Sequence, residues 1–242
     1  MPSPFIRHAP RRRSPFVITC EHARPGLPQT RSLNAAERTI LNSHWGWDLG
    51  AWAISRESAT LLGCGATGGR FTRLWIDLNR RVDDPTVIRT EVEGEALRWN
   101  QPLSQREHLD RVREVHQPYH NEVDAEIAHR LSHGIRPLLL AVHSFTPVWN
   151  GRPRNFDIGV LYDESGGEAR RFARAFRDAG LRVRYNEPYS GKRGLMYSID
   201  RHGRHYDLPN LELELNQALF DDPKATARLA PIVAQAMHEA RR

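Results

Sequence analysis

The sequence predicts a single α/β domain, a central sheet carrying helices on its faces. Short β-branched or aliphatic runs recur along the chain, and stretches with apolar residues at three-to-four spacing lie between them. A chain of 242 residues is long enough to bury one sizeable core of this kind.

The strand candidates are Phe16–Cys20, Arg73–Leu78, Pro137–His143, Asp157–Tyr162, Leu181–Tyr185 and Leu211–Leu215. Amphipathic helices are expected over Ala35–Leu62, with a break near His44–Trp47, and over Gln105–Ser132, Glu168–Ala179 and Asp222–Ala240. Asn34 is a plausible N-cap for the first helix, and Gly180 follows Ala179 as a C-terminal stop. The glycine-rich stretch Gly63–Gly69 reads as a loop, and it fits neither the dinucleotide nor the P-loop pattern. Residues 1–15 read as a flexible basic tail and 16–242 as the folded domain.

Composition removes several function classes. No apolar run approaches the ~20 residues of a membrane span. The basic N-terminal stretch is not followed by the apolar segment of a signal peptide. Two cysteines, Cys20 and Cys64, make no disulfide framework, so a cytoplasmic location is expected. The net charge of +6 comes from arginines spread along the chain, which argues against a nucleic-acid stripe. It fits a solvated basic surface, or a cationic rim that attracts an acidic small molecule. Oligomeric state is not encoded in any of these features.

Ligands of open α/β sheets bind beyond the carboxyl ends of strands. Chemically capable residues collect there: Glu21-His22 after FVITC, Asp77 with Asn79-Arg80 in RLWIDLNR, His143-Ser144 after LLLAV, and Glu212 and Glu214 in LELEL. Neutral imidazole is a common zinc ligand, and catalytic zinc sites often combine two histidines with one carboxylate and leave a position for water. His22 and His143 fit that demand. For the third ligand, Asp48 is preferred to Glu21, because neighbours on an extended strand point to opposite faces. Glu212 and Glu214 share one strand face, so either is placed to act as a general base, unless that face is merely the wet side of an edge strand. Arg80 can clamp a substrate carboxylate through two parallel hydrogen bonds, and Arg152 and Arg154 are further cationic candidates.

The segments CEHARPGLP (20–28), HWGWDLGA (44–51), RLWIDLNR (73–80), QPYH (117–120), HSFTPVWNGRPRNFDIGVLYD (143–163), NEPYSG (186–191) and LELELN (211–216) resemble the successive motifs of the N-formylglutamate amidohydrolase family. The resemblance implies a zinc-carboxypeptidase-like (phosphorylase/hydrolase-like) mixed sheet flanked by helices, close to the aspartoacylase group, over 16–242. It implies one zinc ion on His22, Asp48 and His143, and Glu214 as the catalytic glutamate. Asn79 and Arg80, with Arg154, would contact substrate. Zinc carboxypeptidases place a carboxylate ligand three residues after the first histidine; here that residue is Pro25, so the ligand must come from elsewhere. The implied activity is that of a deformylase-like hydrolase of C–N amide bonds acting on a small N-acyl amino acid such as N-formyl-L-glutamate. A peptidase or amidase with another N-acyl substrate is the enzymatic alternative, and a non-catalytic nucleic-acid-binding protein the alternative from another class.

Overall fold

The computed structural model describes residues 2–10, 13–28 and 32–242. In chain order the strands are β1 (Phe5–His8), β2 (Phe16–Cys20), β3 (Ala66–Gly69), the short pair β4 (Glu91–Val92) and β5 (Glu95–Ala96), β6 (Leu138–Phe145), the hairpin β7 (Val148–Trp149) and β8 (Arg152–Pro153), β9 (Ile158–Leu161), β10 (Val183–Tyr185) and β11 (Asn210–Asn216). The helices are α1 (Ala35–Asn42), α2 (Ala51–Leu62), α3 (Gln105–Arg111), α4 (Gln117–Leu131), α5 (Gly166–Asp178), α6 (Tyr197–Tyr206) and α7 (Ala225–Ala240).

Seven strands form one mixed sheet in the order β1-β3-β2-β6-β11-β9-β10. The strands β3, β2, β6 and β11 run parallel, β9 is antiparallel to β11, and β1 is antiparallel to β3. Strand alternation sorts the core into two layers. Phe16, Ile18, Leu140, Val142, Leu211 and Leu213 pack with residues of α2, α5 and α7. Val17, Leu139 and Ala141 pack on the other face with Tyr119, Val123 and Ile127 of α4 and Ile199 of α6. The chain is therefore a single α/β domain with helices on both faces of its sheet.

Local chemistry explains several boundaries. Asn34 caps α1 through a capping box with Glu37, each side chain accepting from the other residue's backbone N–H. Between α3 and α4 the helical path passes through a π turn at Val112–His116. It lies just before Pro118, whose ring nitrogen has no hydrogen to give to the ladder.

Three expectations, and one alternative reading, need correction. Arg73–Leu78 is not a strand. Leu74, Trp75 and Ile76 are all buried, so the run does not alternate, and its backbone is satisfied by turns (Trp75 N–H to Thr72 O, 2.9 Å) and by a link from Asp77 N–H to Val87 O (2.8 Å). The sheet position falls instead to Ala66–Gly69, inside the stretch expected as a loop. Glycine is needed there because a Cβ at position 69 would lie 2.1 Å from the Glu21 carbonyl oxygen. The segment 1–15 is not wholly a tail either, since Phe5–His8 pairs with β3 in register Phe5 to Gly69 through His8 to Ala66. Finally, β11 is no edge strand. It lies between β6 and β9, so the face carrying Glu212 and Glu214 is covered, and both residues are buried.

Candidate active site

The parallel strands deliver their carboxyl ends to one crevice. Strand β2 ends at Cys20 and hands on to Glu21 and His22, while His143 lies near the end of β6 and pairs in register with Glu214 of β11. Glu212 is in register with Ala141, so both glutamates share the His143 face. Asp48 arrives from the loop before α2: its N–H donates to the His22 carbonyl at 3.0 Å. Gly50, with φ of +79°, then turns the chain into the helix.

His22 and His143 face one another with ring centroids 4.9 Å apart. Their Nδ1 atoms both point at the same oxygen, Oδ2 of Asp48, at 3.2 and 2.7 Å. On the far side of each ring stands another carboxylate. His22 Nε2 is 2.7 Å from Asp77 Oδ1, and His143 Nε2 is 3.0 Å from Glu21 Oε2. His22, Asp48 and His143 are buried and offer ligand atoms within 4.8 Å of one another. Glu21 stands behind His143, where Tyr119 Oη and Ser198 Oγ donate to its Oε1 at 3.1 and 2.7 Å.

Burial and charge act in opposition here. Burial favours the neutral form of Asp48, but His22 and His143 outweigh it and lower its pKa. Asp77 is lowered against the same penalty by His22 and Arg73. Glu21 is brought to about 2, chiefly through His143 and Ser198 acting against burial. On β11 burial prevails. Glu212 is pushed up to about 7, with His143 opposing and Glu21 adding to the rise. Glu214 is raised well above 4.5 by burial, with His143 opposing and Glu212 and Asp48 reinforcing. Asn79 Nδ2 donates to Glu212 Oε2 at 3.2 Å, whereas Glu214 Oε2 has no hydrogen-bond partner among the described residues.

These groups, Glu21 excepted, line a cavity of about 280 Å³. His44, Trp45, Trp149, Tyr189, Leu195 and Tyr197 contribute to its wall, alongside Arg73, Arg80, Arg81 and Arg89. Of the sequence-predicted substrate contacts, Asn79 and Arg80 reach the cavity, whereas Arg152, exposed on β8, and Arg154 do not line it. Arg154 instead donates from its NH1 to Thr146, and its guanidinium packs over Phe145, Trp149 and Tyr189. Asn79 lines the cavity with its amide already engaged at both ends, Oδ1 accepting from Ser198 N–H at 2.8 Å and Nδ2 donating to Glu212. Arg80 lines it while paired with Asp77 (3.3 Å) and Asp84 (3.1 Å).

Sequence reasoning did not assign roles to Arg73, Asp77, Arg89, Tyr119 or Ser198. Asp77 carried a usable signal, being the acidic member of the DLNR run. Arg73 and Tyr119 stand in the quoted runs RLWIDLNR and QPYH, while Arg89 and Ser198 are joined to the site only by the fold. The Asn79-Arg80 turn is also held from beneath. His120 Nε2 is 3.1 Å from the Leu78 carbonyl and His116 Nε2 is 2.9 Å from that of Arg80. His120 in turn contacts His202, which is bonded to Asp124.

The N-formylglutamate amidohydrolase family matches residues 14–220 of the chain. Among solved structures, the chain is similar to gene product Atu2144 of Agrobacterium tumefaciens, with 28% identity, a TM-score of 0.90, and 99% of this chain and 95% of that one covered. It is similar in fold to the N-formylglutamate amidohydrolase of Ralstonia eutropha JMP134, with 20% identity, a TM-score of 0.77, and 99% and 97% covered. A bacteriophage poly-gamma-glutamate hydrolase shares the fold more distantly, with 7% identity, a TM-score of 0.52, and 100% and 91% covered. No curated protein matches the chain.

Proposed function

Because the chain belongs to the N-formylglutamate amidohydrolase family, we propose that this amide-cleaving hydrolase acts on the amide bond of an N-acyl amino acid, N-formyl-L-glutamate being the named candidate. We further propose that it does so with one divalent metal ion, zinc, held by His22, Asp48 and His143. The observation that carries the metal reading is the convergence of two Nδ1 atoms and a carboxylate oxygen in a buried pocket, with a second carboxylate behind each imidazole. That outer pair, Asp77 and Glu21, is the arrangement that fixes histidine ligands in metal sites. It favours Asp48 as the carboxylate ligand and leaves Glu21 an orienting role. When bound, such an ion polarises a carbonyl and lowers the pKa of water toward ~7.

The chain's own residues supply the proton handling. Glu214 offers a buried Oε2 without a competing hydrogen bond, and burial raises its proton affinity. It accepts the proton of the attacking water as the carbonyl carbon gains its new C–O bond. The same atom gives the proton to the departing nitrogen as the C–N bond breaks, releasing the carboxylic acid and the free amino acid. Glu212, held by Asn79, stays oriented beside His143, with its Oε2 3.6 Å from His143 Nε2. Arg80, held by Asp77 through Nε and by Asp84 through Nη1, keeps Nη2 for the substrate's α-carboxylate. Trp45, Trp149 and Tyr189 add aromatic surface to the cavity wall.

The test is formate release from N-formyl-L-glutamate, followed alongside metal analysis of the purified protein. We expect stoichiometric divalent metal, loss of activity with a chelator and its return on metal addition. His143→Ala should abolish both metal retention and turnover. A protein without metal that is indifferent to chelators would sink the metal reading, and an active chelator-resistant enzyme would keep the substrate while discarding the ion.

A further inference from the structure

Beneath the Asn79-Arg80 turn runs a chain of side chains that the proposed reaction does not use. His116, His120 and Asp124 recur at four-residue spacing and so lie along one side of their helical path. Helix α6 brings His202 against them. Asp124 Oδ1 is 2.7 Å from His202 Nδ1, His202 Nε2 is 3.0 Å from His120 Nδ1, and His120 Nε2 is 3.1 Å from the Leu78 carbonyl oxygen. Both imidazoles are buried, and neither they nor Asp124 line the cavity.

The polarity of these bonds fixes the protons. A carbonyl oxygen only accepts, so His120 Nε2 donates to Leu78, and a carboxylate only accepts, so His202 Nδ1 donates to Asp124. Between the rings one nitrogen must donate to the other. The three contacts therefore need three N–H groups from two imidazoles, which carry only two when both are neutral, and one ring is an imidazolium. The extra proton belongs on His202, beside the carboxylate. Burial lowers the pKa of His120 well below 6.5, and the charges of His116, His202 and Arg201 lower it further, more than the Leu78 hydrogen bond offsets. Burial would raise the pKa of Asp124, but the His202 hydrogen bond and the charges of His202, Arg201 and His205 lower it. Arg201 Nη1, 3.3 Å from His202 Nδ1, opposes the imidazolium, yet its Nη2 also lies 3.6 Å from Asp124 Oδ2. Tyr206 faces the same carboxylate.

We infer that Asp124 and His202 are positioning residues: a buried imidazolium, held by a carboxylate, braces the Leu78 carbonyl through His120 and so sets the turn from which Asn79 and Arg80 reach the cavity. Helix α6 then grips that turn twice, through His202 and through the Ser198 N–H on Asn79 Oδ1. Loss of the extra proton leaves one of the three contacts with no hydrogen between its atoms, and the brace loosens as pH rises. That the turn serves turnover rests on the amidohydrolase reading; the protonation of His202 does not.

The experiment uses the zinc-loaded protein. Nitrogen NMR of the imidazoles, with the His202 signals assigned by their loss in His202→Gln, should show both ring nitrogens of His202 protonated at neutral pH. The Leu78 carbonyl shares its peptide group with the Asn79 N–H, so the Asn79 amide signal should move with the His202 titration and stop doing so in His202→Gln. Asp124→Asn keeps the accepting oxygen and removes the charge, and should return His202 to one protonated and one bare nitrogen. In turnover of N-formyl-L-glutamate that variant should lose up to about 100-fold in kcat/KM, the scale of a misplacement of ~1 Å, chiefly through KM and with zinc content unchanged. Wild-type KM should rise at the pH where His202 loses its proton. A neutral His202 in the wild type overturns the inference, as does an Asn79 amide that ignores the His202 titration or a folded, zinc-loaded Asp124→Asn with wild-type KM across pH. If Asp124→Asn does not fold, the wild-type titration decides alone. Absence of turnover in the wild type would sink the amidohydrolase reading instead, while the spectra still read the brace.

Discussion

Replacing Glu214 by glutamine keeps the volume and shape of the side chain and removes its capacity to take a proton. The structure sets the size of the effect. Among the described residues Glu214 Oε2 has no hydrogen-bond partner to compensate, and Glu212, on the same strand face, has its Oε2 engaged by Asn79. No neighbouring base is therefore free to substitute, and the whole general-base contribution of about 10²- to 10⁴-fold should be lost from kcat. At 1.36 kcal/mol per decade that is roughly 2.7–5.4 kcal/mol of barrier. KM and bound metal should stay near wild type, because Glu214 belongs to neither the proposed ligand set nor the carboxylate clamp. Stability should not fall, since the replaced carboxyl is one whose burial already disfavours its charge. The assay is steady-state formate release with metal content measured on the same sample. A variant retaining kcat within tenfold of wild type would refute the assignment of the base, and one that loses its metal would show Glu214 acting as a ligand.

Asp77→Asn removes the charge behind His22 while preserving most of the side chain, and it should weaken metal affinity or activity about 10- to 100-fold; metal competition against a calibrated chelator reads this directly. Glu37→Gln should destabilise the fold by about 1 kcal/mol at neutral pH, because Glu37 both closes the capping box and binds Arg98 at 2.6 Å. The Arg98 hydrogen bond, with burial opposing and the Asn34 and Arg98 backbone donors assisting, brings its pKa from 4.5 to about 2. Between those values the unfolded chain binds the proton more readily than the folded one. The stabilisation is therefore full above about 4.5 and is lost as pH falls through about 2. Denaturation of wild type and variant at pH 7 and near pH 2 should show the difference shrinking. A constant difference would count against the linkage.

Much of the site was legible because its chemistry sits where parallel strands end. His22 and His143 follow apolar runs that read as strands, and the alternation in LELEL set both glutamates on one face. Whether that face was wet depended on which strands flank β11, and strand order is a non-local property. Arg73–Leu78 misled for a related reason. Consecutive buried residues satisfy a strand and a packed irregular turn equally well, and only the hydrogen-bond partners of Asp77 and Trp75 decide between them. Arg89 and Ser198 were invisible as site residues because their relation to it is spatial alone. Arg154 was placed near the right wall, yet its guanidinium is spent on ring faces.

Gly159 stands opposite Glu214 in the pairing of β9 with β11. A Cβ there would lie 2.1 Å from the Glu187 carbonyl oxygen and 3.1 Å from the Glu214 Cβ. The proposed general base and this glycine are thus coupled in a way that bears on descent. A relative that keeps a glutamate at the Glu214 position, with the segment through Glu187 crossing as it does here, has no freedom to place any other residue across from it. The two positions should be inherited together, even where the surrounding sequence has drifted beyond recognition.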